Sequence, residues 1–281
     1  MNDLLFPALL KFWRGRHGQS QLDLALSAGV SARHISFLEA GRAAPSIDMV
    51  LRLMAALDVP LRHQNEALRA AGFAPRFPEP ELGAISPAID WAIERMVRQQ
   101  EPYPLTVLAA DYRIVKMNNP ASSLFAHFVQ DRARAIGSLD MFSLLFDPGL
   151  AKPFVMGWDQ LAGKMLARLH REMLQGGGDS RLSSLLDRAL RYPGVNAQWR
   201  RPDLSTQIDS TLEVWLQRDD TRVGFMTTVT AFSAPRSVTL EELRIESYFP
   251  LDEATRMVCE RWAEAAPASS HASGTEGAQA R

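Results

Sequence analysis

The chain has 281 residues, 46% hydrophobic and 22% charged, with a formal net charge of -1. That length predicts two domains, each long enough to bury a core. One cysteine, Cys259, excludes an internal disulfide and fits a reducing compartment. No apolar run reaches the roughly 18 residues that span a bilayer, and Met1-Asn2-Asp3-Leu4 lacks the basic region of a secretory signal. A cytoplasmic protein without a membrane partner is expected. Charge is unevenly spread: residues 1–78 hold nine Lys/Arg against six Asp/Glu, while the remainder is acidic. A mildly basic front half is compatible with a polyanionic partner.

The front half reads as helices throughout. Leu4 to Arg16 carries Leu5, Leu9 and Phe12 at helical spacing. Ser20-Gln21-Leu22-Asp23 is a capping box opening a helix to Ala28, and Gly29 can take the left-handed conformation that ends it. Ser31 caps the next helix, which runs to Ala40 before Gly41. Pro45-Ser46 announces a fourth, bearing Val50, Leu53 and Leu57, and a fifth follows over about Leu61 to Ala71, stopped at Gly72. Two short helices joined by a glycine-containing turn form a helix-turn-helix, whose second helix can enter the major groove. Ala25 supplies the small residue where the helices cross, and Leu24, Val30, Ile35 and Leu38 the shared core. Ala32, Arg33, Ser36 and Phe37 are left facing outward. Phe37 could then meet a thymine methyl, and Arg33 a guanine or a phosphate. Gln21 and Ser31, at helix starts, suit phosphate oxygens.

Ser-Gln-Leu-Asp-Leu-Ala-Leu-Ser-Ala-Gly-Val-Ser at 20–31 and Ile-Ser-Phe-Leu-Glu-Ala-Gly-Arg-Ala-Ala-Pro-Ser at 35–46 resemble the Xre/Cro phage-repressor type of helix-turn-helix. The resemblance covers about Leu9 to Pro60 and implies a five-helix, all-α domain that binds double-stranded DNA. It places Gln21, Ala32, Arg33 and Phe37 at base edges and Ser31, His34 and Arg42 at phosphate or flanking contacts. Ala32 departs from it, with no hydrogen-bonding group where many relatives carry a polar residue.

Four prolines between Phe73 and Pro87 exclude a regular helix or central strand. We therefore expect a DNA-binding domain over 1–74, a linker over 75–87, a second domain over 88–266 and a disordered polar tail over 267–281. In the second domain, Ala88 to Gln100 reads as an amphipathic helix (Ile89, Ile93, Val97). Pro104 to Met117 reads as strand broken by an Ala-Ala-Asp turn, and Pro120 to Asp131, Met156 to Leu174 and Leu182 to Arg191 as helices. Gln175 to Asp179 reads as a glycine-rich loop. Leu212–Leu216, Val223–Phe232 and Leu243–Phe249 alternate as half-buried antiparallel strands, and Asp252 caps a closing helix to about Glu264. Helices followed by a run of strands predict an α+β layer with an antiparallel sheet.

Leu61-Arg62 through Ala70-Ala71-Gly72-Phe73-Ala74-Pro75, Tyr112-Arg113-Ile114-Val115-Lys116-Met117-Asn118-Asn119 and the run Leu240 to Arg256 resemble the MmyB-type regulators. That resemblance covers most of 86–262 and is loose between about 130 and 205. It implies a PAS-like ligand-binding domain, its sheet and helices enclosing an apolar cavity that in some relatives holds a fatty-acid-like molecule. Met117, Phe125, Phe128, Phe142, Phe146, Trp215 and Phe225 are candidate ligand contacts, with Met141, Trp158 and Met226 also in reserve. Taken singly, each is more at home as core filling, and it is as a set that they suit an apolar ligand. Asn118 and Asn119 either orient a ligand or cap the next helix. Arg244, Glu246 and Arg256 with Asp252 and Glu253 read as a surface ion-pair network or, alternatively, as a dimer or interdomain contact.

The six histidines are scattered, and no Cys-x-x-Cys, Gly-x-Ser-x-Gly, Gly-x-x-x-x-Gly-Lys or Gly-x-Gly-x-x-Gly occurs. We expect no enzyme, no metal and no cofactor beyond a bound fatty acid or similar apolar molecule. The reading is a homodimeric, sequence-specific transcriptional regulator that senses a small apolar ligand, with linker 74–87 and helix 88–100 as the lever. The alternative is a constitutive DNA-binding protein whose second domain only dimerises or recruits a partner.

Overall fold

The computed structural model describes residues 5–131, 140–175, 180–201, 212–233 and 235–265. The expected tail and the triple-glycine run Gly176-Gly177-Gly178 lie outside the described residues.

The N-terminal unit is built of α1 (Leu5–Arg16), α2 (Gln21–Ala28), α3 (Ala32–Glu39), α4 (Ile47–Ala56) and α5 (Leu61–Ala70). Its helix starts follow local chemistry. The Ser20 hydroxyl accepts from Asp23 N while the Asp23 carboxylate accepts from Ser20 N, a complete capping box. Ser31 and Ser46 accept from His34 N and Met49 N in the same way. Between α2 and α3, Gly29 sits at φ +65°, where a side chain would strain the backbone. Leu24, Ala25, Ile35 and Leu38 are buried together with Leu10, Trp13, Leu53 and Leu68, so one core fixes all five helices.

From Phe73 to Ser86 the chain is irregular apart from a 3-10 turn at Leu82–Ala84, and α6 (Pro87–Gln99) follows. The second unit is a six-stranded antiparallel sheet in the order β2-β1-β6-β5-β4-β3. Its strands are β1 (Leu105–Leu108), β2 (Ile114–Met117), β3 (Val155–Met156), β4 (Leu212–Arg218), β5 (Thr221–Thr230) and β6 (Arg244–Pro250). Helices α7 (Asn119–Phe128), α8 (Met141–Phe146), α9 (Trp158–Gln175), α10 (Ser180–Ala189), α11 (Val238–Glu242) and α12 (Glu253–Ala265) complete it. Period-two alternation divides the strands between two faces. Leu105 and Val107 of β1 and Ile245 of β6 pack with Ile93 and Val97 of α6 on one face. Opposite residues face the larger core built with α7, α8, α9 and α10.

The predicted strand over 104–117 is the β1–β2 hairpin, turned at Ala109–Tyr112. Asn118 resolves to the capping role. Its carbonyl oxygen accepts from Ala121 N and Leu105 N, and its amide donates to Tyr103 O, so one buried side chain joins α7 to both ends of the turn into β1. Asp252 Oδ1 accepts from Thr255 N at the start of α12. Helices α8 and α11 and the two-residue β3 were not foreseen.

Candidate functional site

Helix α3 owes its two-sided character to its spacing. Ile35 and Leu38 are fully buried, and Ala32 packs half-buried against the same core. Ser31, Arg33 and Arg42 are exposed; His34, Ser36 and Phe37 are half-buried. The Arg33 guanidinium lies over the Phe37 ring, 5.1 Å from its centre, so the two candidate base readers form one patch. Gln21 is placed differently. Its amide donates to Glu39 Oε2 at 2.8 Å, and Glu39 is also held by Arg14 through a two-pronged pair at 2.6 and 2.9 Å. Burial opposes the Glu39 charge, but the hydrogen bonds from Arg14 and Gln21 hold its carboxyl below the usual range. This network locks the end of α3 to α1 and to the start of α2. It orients Gln21 along the edge of the α3 face.

The second site is a cavity of about 550 Å³ between the sheet and helices α7, α8 and α9. Its walls are mainly apolar: Leu124 and Phe125 of α7, Met141, Phe142 and Leu145 of α8, Leu161, Met165 and Leu166 of α9, Trp199, and Leu212, Val214 and Leu216 of β4. Volume and lining suit a small apolar molecule. Of the predicted ligand contacts, Phe125 and Phe142 line the cavity, while Met117, Phe128, Phe146, Trp215 and Phe225 do not. Phe128, Phe146 and Phe225 are filled into the solid core beside it. Met117 belongs to edge strand β2. Trp215 points out of the opposite face of β4, its ring covering Gly224 of β5 so closely that a Cβ there would lie 2.3 Å away, and Arg222 stacks upon it.

One wall is polar. Tyr112, Arg168, Glu246 and Tyr248 line it, and Glu172 and Arg244 stand behind them. The Tyr112 hydroxyl lies 2.9 Å from both Glu172 oxygens, and the hydroxyl donates. Arg168 Nε donates to Glu172 Oε1 at 3.1 Å, and Arg244 Nη2 lies 3.0 Å from Glu172 Oε2. Arg244 also stacks 4.9 Å from the centre of the Tyr112 ring. Tyr112 occupies the left-handed region at φ +62°, a strained choice for a large residue. Its phenol bonds and its edge-on contact with Phe142 hold it there. Burial pushes the Glu246 carboxyl up, against the pull of Arg168 and Arg244, and burial likewise raises the Tyr112 and Tyr248 phenols. Two guanidiniums, Arg168 and Arg244, thus gather with the Glu172 carboxylate beside this wall, and Asp159, Lys164, His170 and Arg201 add further polar groups to a mainly apolar lining.

The sequence singled out Arg244 and Glu246 as part of a surface network, and the structure corrects that placement. Glu246 is buried in the cavity wall, whereas Arg256, Glu253 and Glu260 pair on the outer face of α12. The signal was present: 244, 246 and 248 alternate onto one strand face, and Arg168 and Glu172 sit one helical turn apart. Cys259 is fully buried, and burial pushes its thiol up to about 12, so it packs as a neutral group. Among the described residues no cluster of His, Cys, Asp or Glu could hold a metal, and no helix is long and apolar enough to cross a membrane.

Comparison with known proteins finds a helix-turn-helix family model matching residues 10–64. A second model, the MmyB-like transcription regulator ligand binding domain, matches residues 89–261. No curated protein matches the chain. Among solved structures, one described as an RNA-binding light-oxygen-voltage receptor is 14% identical, covering 92% of this chain and 56% of its own. Its TM-score of 0.28 carries no argument about fold or function, and this chain spans little more than half of that one. The ligand-binding model alone spans more than half of the sequence, so the chain belongs to the MmyB-like transcription regulators, DNA-binding proteins in which a helix-turn-helix precedes a ligand-binding domain.

Proposed function

We propose that the protein binds its operator through α3 as a homodimer, and that a small apolar, fatty-acid-like molecule in the cavity controls that binding. Arg33 and Phe37 read base edges, with Ala32 and Ser36 beside them. Gln21, Ser31, His34 and Arg42 contact phosphates or flanking positions. Two recognition helices about 34 Å apart then match a pseudo-palindrome with half-sites one helical turn apart. Phe125 and Phe142 contact the apolar part of the ligand, and the wall of Tyr112, Arg168, Glu246 and Tyr248 meets its polar end. The observation that carries the reading is the cavity itself: about 550 Å³ of mainly apolar space with one charged wall, in a chain whose α3 presents a polar outer face. Solid packing would have served a scaffold better, because unfilled space forfeits contacts.

Native mass spectrometry of the full chain tests this, as purified and after addition of octanoate, dodecanoate or hexadecanoate. One bound equivalent per chain, lost when Ala167→Trp at a lining position of α9 fills the cavity, is the expected result. A chain that takes up none of the three, with an unchanged spectrum for the variant, would overturn the ligand assignment and favour a domain that only dimerises or recruits a partner.

A further inference from the structure

Helix α5 of the DNA-binding domain begins at Leu61 behind Pro60, which offers no side-chain cap. The cap comes from the other domain. Leu61 N donates to Glu241 Oε2 at 2.8 Å, across 180 residues of sequence. Beside it, Arg62 Nε and Nη2 donate to the two oxygens of Glu242 at 2.7 and 3.0 Å. Arg181 of α10 donates to the same two oxygens at 2.8 and 3.0 Å. Arg62 Nη1 also reaches Glu79 of the linker at 2.6 Å. These side chains are mostly covered, which preserves charge-assisted bonds that solvent would weaken. The linker is strapped alongside: Asn65 of α5 binds the backbone at Arg76 and Phe77, and Val238 N and the Thr239 hydroxyl of α11 donate to Pro78 O and Pro80 O.

Glu242 ends α11, and two residues later Arg244 opens β6 behind the polar wall of the cavity. Leu243 between them is buried against α6. Arg244 is held by Glu172, and Glu172 by Tyr112 and Arg168, both of which line the cavity. The second guanidinium on Glu242, from Arg181, arrives on α10, which packs on the cavity-lining helix α9. Two walls of the cavity therefore converge on one carboxylate that holds the DNA-binding domain.

We infer that Glu242, with Glu241, is a positioning latch. A molecule pressing on Tyr112 and Arg168 re-sets Glu172 and Arg244, and through Leu243 changes how firmly α5 is held, and so where α3 is presented. This rests on the cavity being the ligand site. A ligand can act only through its differing affinity for latched and unlatched states, and that coupling is reciprocal.

The test is hydrogen exchange on the full chain, read at the first turn of α5, with dodecanoate as the cavity probe and native mass spectrometry reporting its occupancy. Glu242→Gln is expected to raise exchange at Leu61 to Gln64 about tenfold while α1 to α4 stay protected. In the unsubstituted chain the probe shifts exchange at the same amides. By reciprocity Glu242→Gln then changes the dissociation constant of the probe to the extent that it shifts the latched population, with the ratio of affinities of the two states as the upper limit, although Glu242 lies outside the cavity lining. An occupied cavity with unchanged α5 exchange, or an unchanged probe affinity in a Glu242→Gln chain whose α5 exchange shows the first turn mostly open, overturns the latch. Should that variant fail to fold, Arg62→Gln removes the partner on the other side and is read identically. If none of octanoate, dodecanoate and hexadecanoate enters the unsubstituted chain, the ligand assignment fails by itself. The latch is then read with Tyr112→Phe and Arg168→Met, which loosen Glu172 without touching Glu242. Raised exchange at Leu61 supports it and unchanged exchange overturns it.

Discussion

Arg33→Ala probes the outer face of α3 most directly. Arg33 is exposed and rests over Phe37, a stack worth about 0.5–1 kcal/mol at an exposed site, which limits the orientations its fork must lose on binding. A bidentate contact to guanine discriminates by about 1–3 kcal/mol, or about 5- to 150-fold in affinity. Arg42, exposed just beyond α3, is placed for a phosphate, where loss weakens every sequence alike and lowers the salt slope by about one. The assay is a footprinting titration at two salt concentrations, on an operator taken from a genomic binding map. Arg33→Ala is expected to lose about 1–3 kcal/mol on the operator and to relax preference at one base pair, and Phe37→Ala to reduce preference at its neighbour. Arg42→Ala should weaken operator and random DNA equally. If Arg33→Ala binds the operator with unchanged affinity and unchanged preference, α3 does not lie in the major groove as proposed.

Glu39→Gln leaves the half-buried Arg14 guanidinium without its anion and should cost about 1–3 kcal/mol, read as a lower denaturant midpoint for the N-terminal domain; an unchanged midpoint refutes the tie between α1 and α3. Because the folded Glu39 carboxyl is held below its ordinary value of 4.5, its stabilisation is fully present above that pH and is lost as pH falls through the lowered folded value. Acid unfolding of this domain, followed by circular dichroism below pH 4.5, should therefore flatten in Glu39→Gln. Asn118→Ala removes the cap of α7 and leaves Leu105 N buried without an acceptor, for a cost of about 2–4 kcal/mol in thermal unfolding. Ala167→Trp should abolish uptake of an apolar ligand while leaving random-DNA binding intact, a separation that binding assays on the two partners check directly.

Helix starts and stops in the first domain were legible because they are local: Ser20 and Asp23, or Gly29 at its positive φ, act within four residues. Strand order and cavity are not local. The lining comes from α7, α8, α9 and three strands, and periodicity says which face of each turns inward, not whether facing side chains meet or leave space. Phe125 and Phe128 on one helix thus divide between lining and solid core. Trp215 could have been placed from the sequence, because Leu212, Val214 and Leu216 claim the inner face of β4 by alternation. Arg244, Glu246 and Tyr248 alternate in the same way, but charges in a sequence default to solvent, and only the partners brought by distant elements, Glu172 and Arg168 of α9 and Tyr112, place this strand face against the cavity. Nothing local pairs Arg62 with Glu242, 180 residues away.

A regulator of this design works with small free energies. A tenfold change in operator affinity requires only about 1.4 kcal/mol of coupling, within the usual span of 1–3 kcal/mol. One charge-assisted hydrogen bond gained or lost at a partly covered site is of that size. The Glu242 carboxylate, shared between Arg62 and Arg181, is held below the usual carboxylate range by those two donors against the opposing effect of burial, so it stays charged at neutral pH and its bonds depend on the placement of both arginines. A displacement of either partner by a few tenths of an ångström changes bonds already at 2.7 to 3.0 Å, whereas the apolar core around Leu243 resists the same displacement by close packing. The corner is thus a stiff strand end carrying a sensitive polar contact. That combination can convert a change at the cavity wall into a two-state difference in how the DNA-binding domain is held.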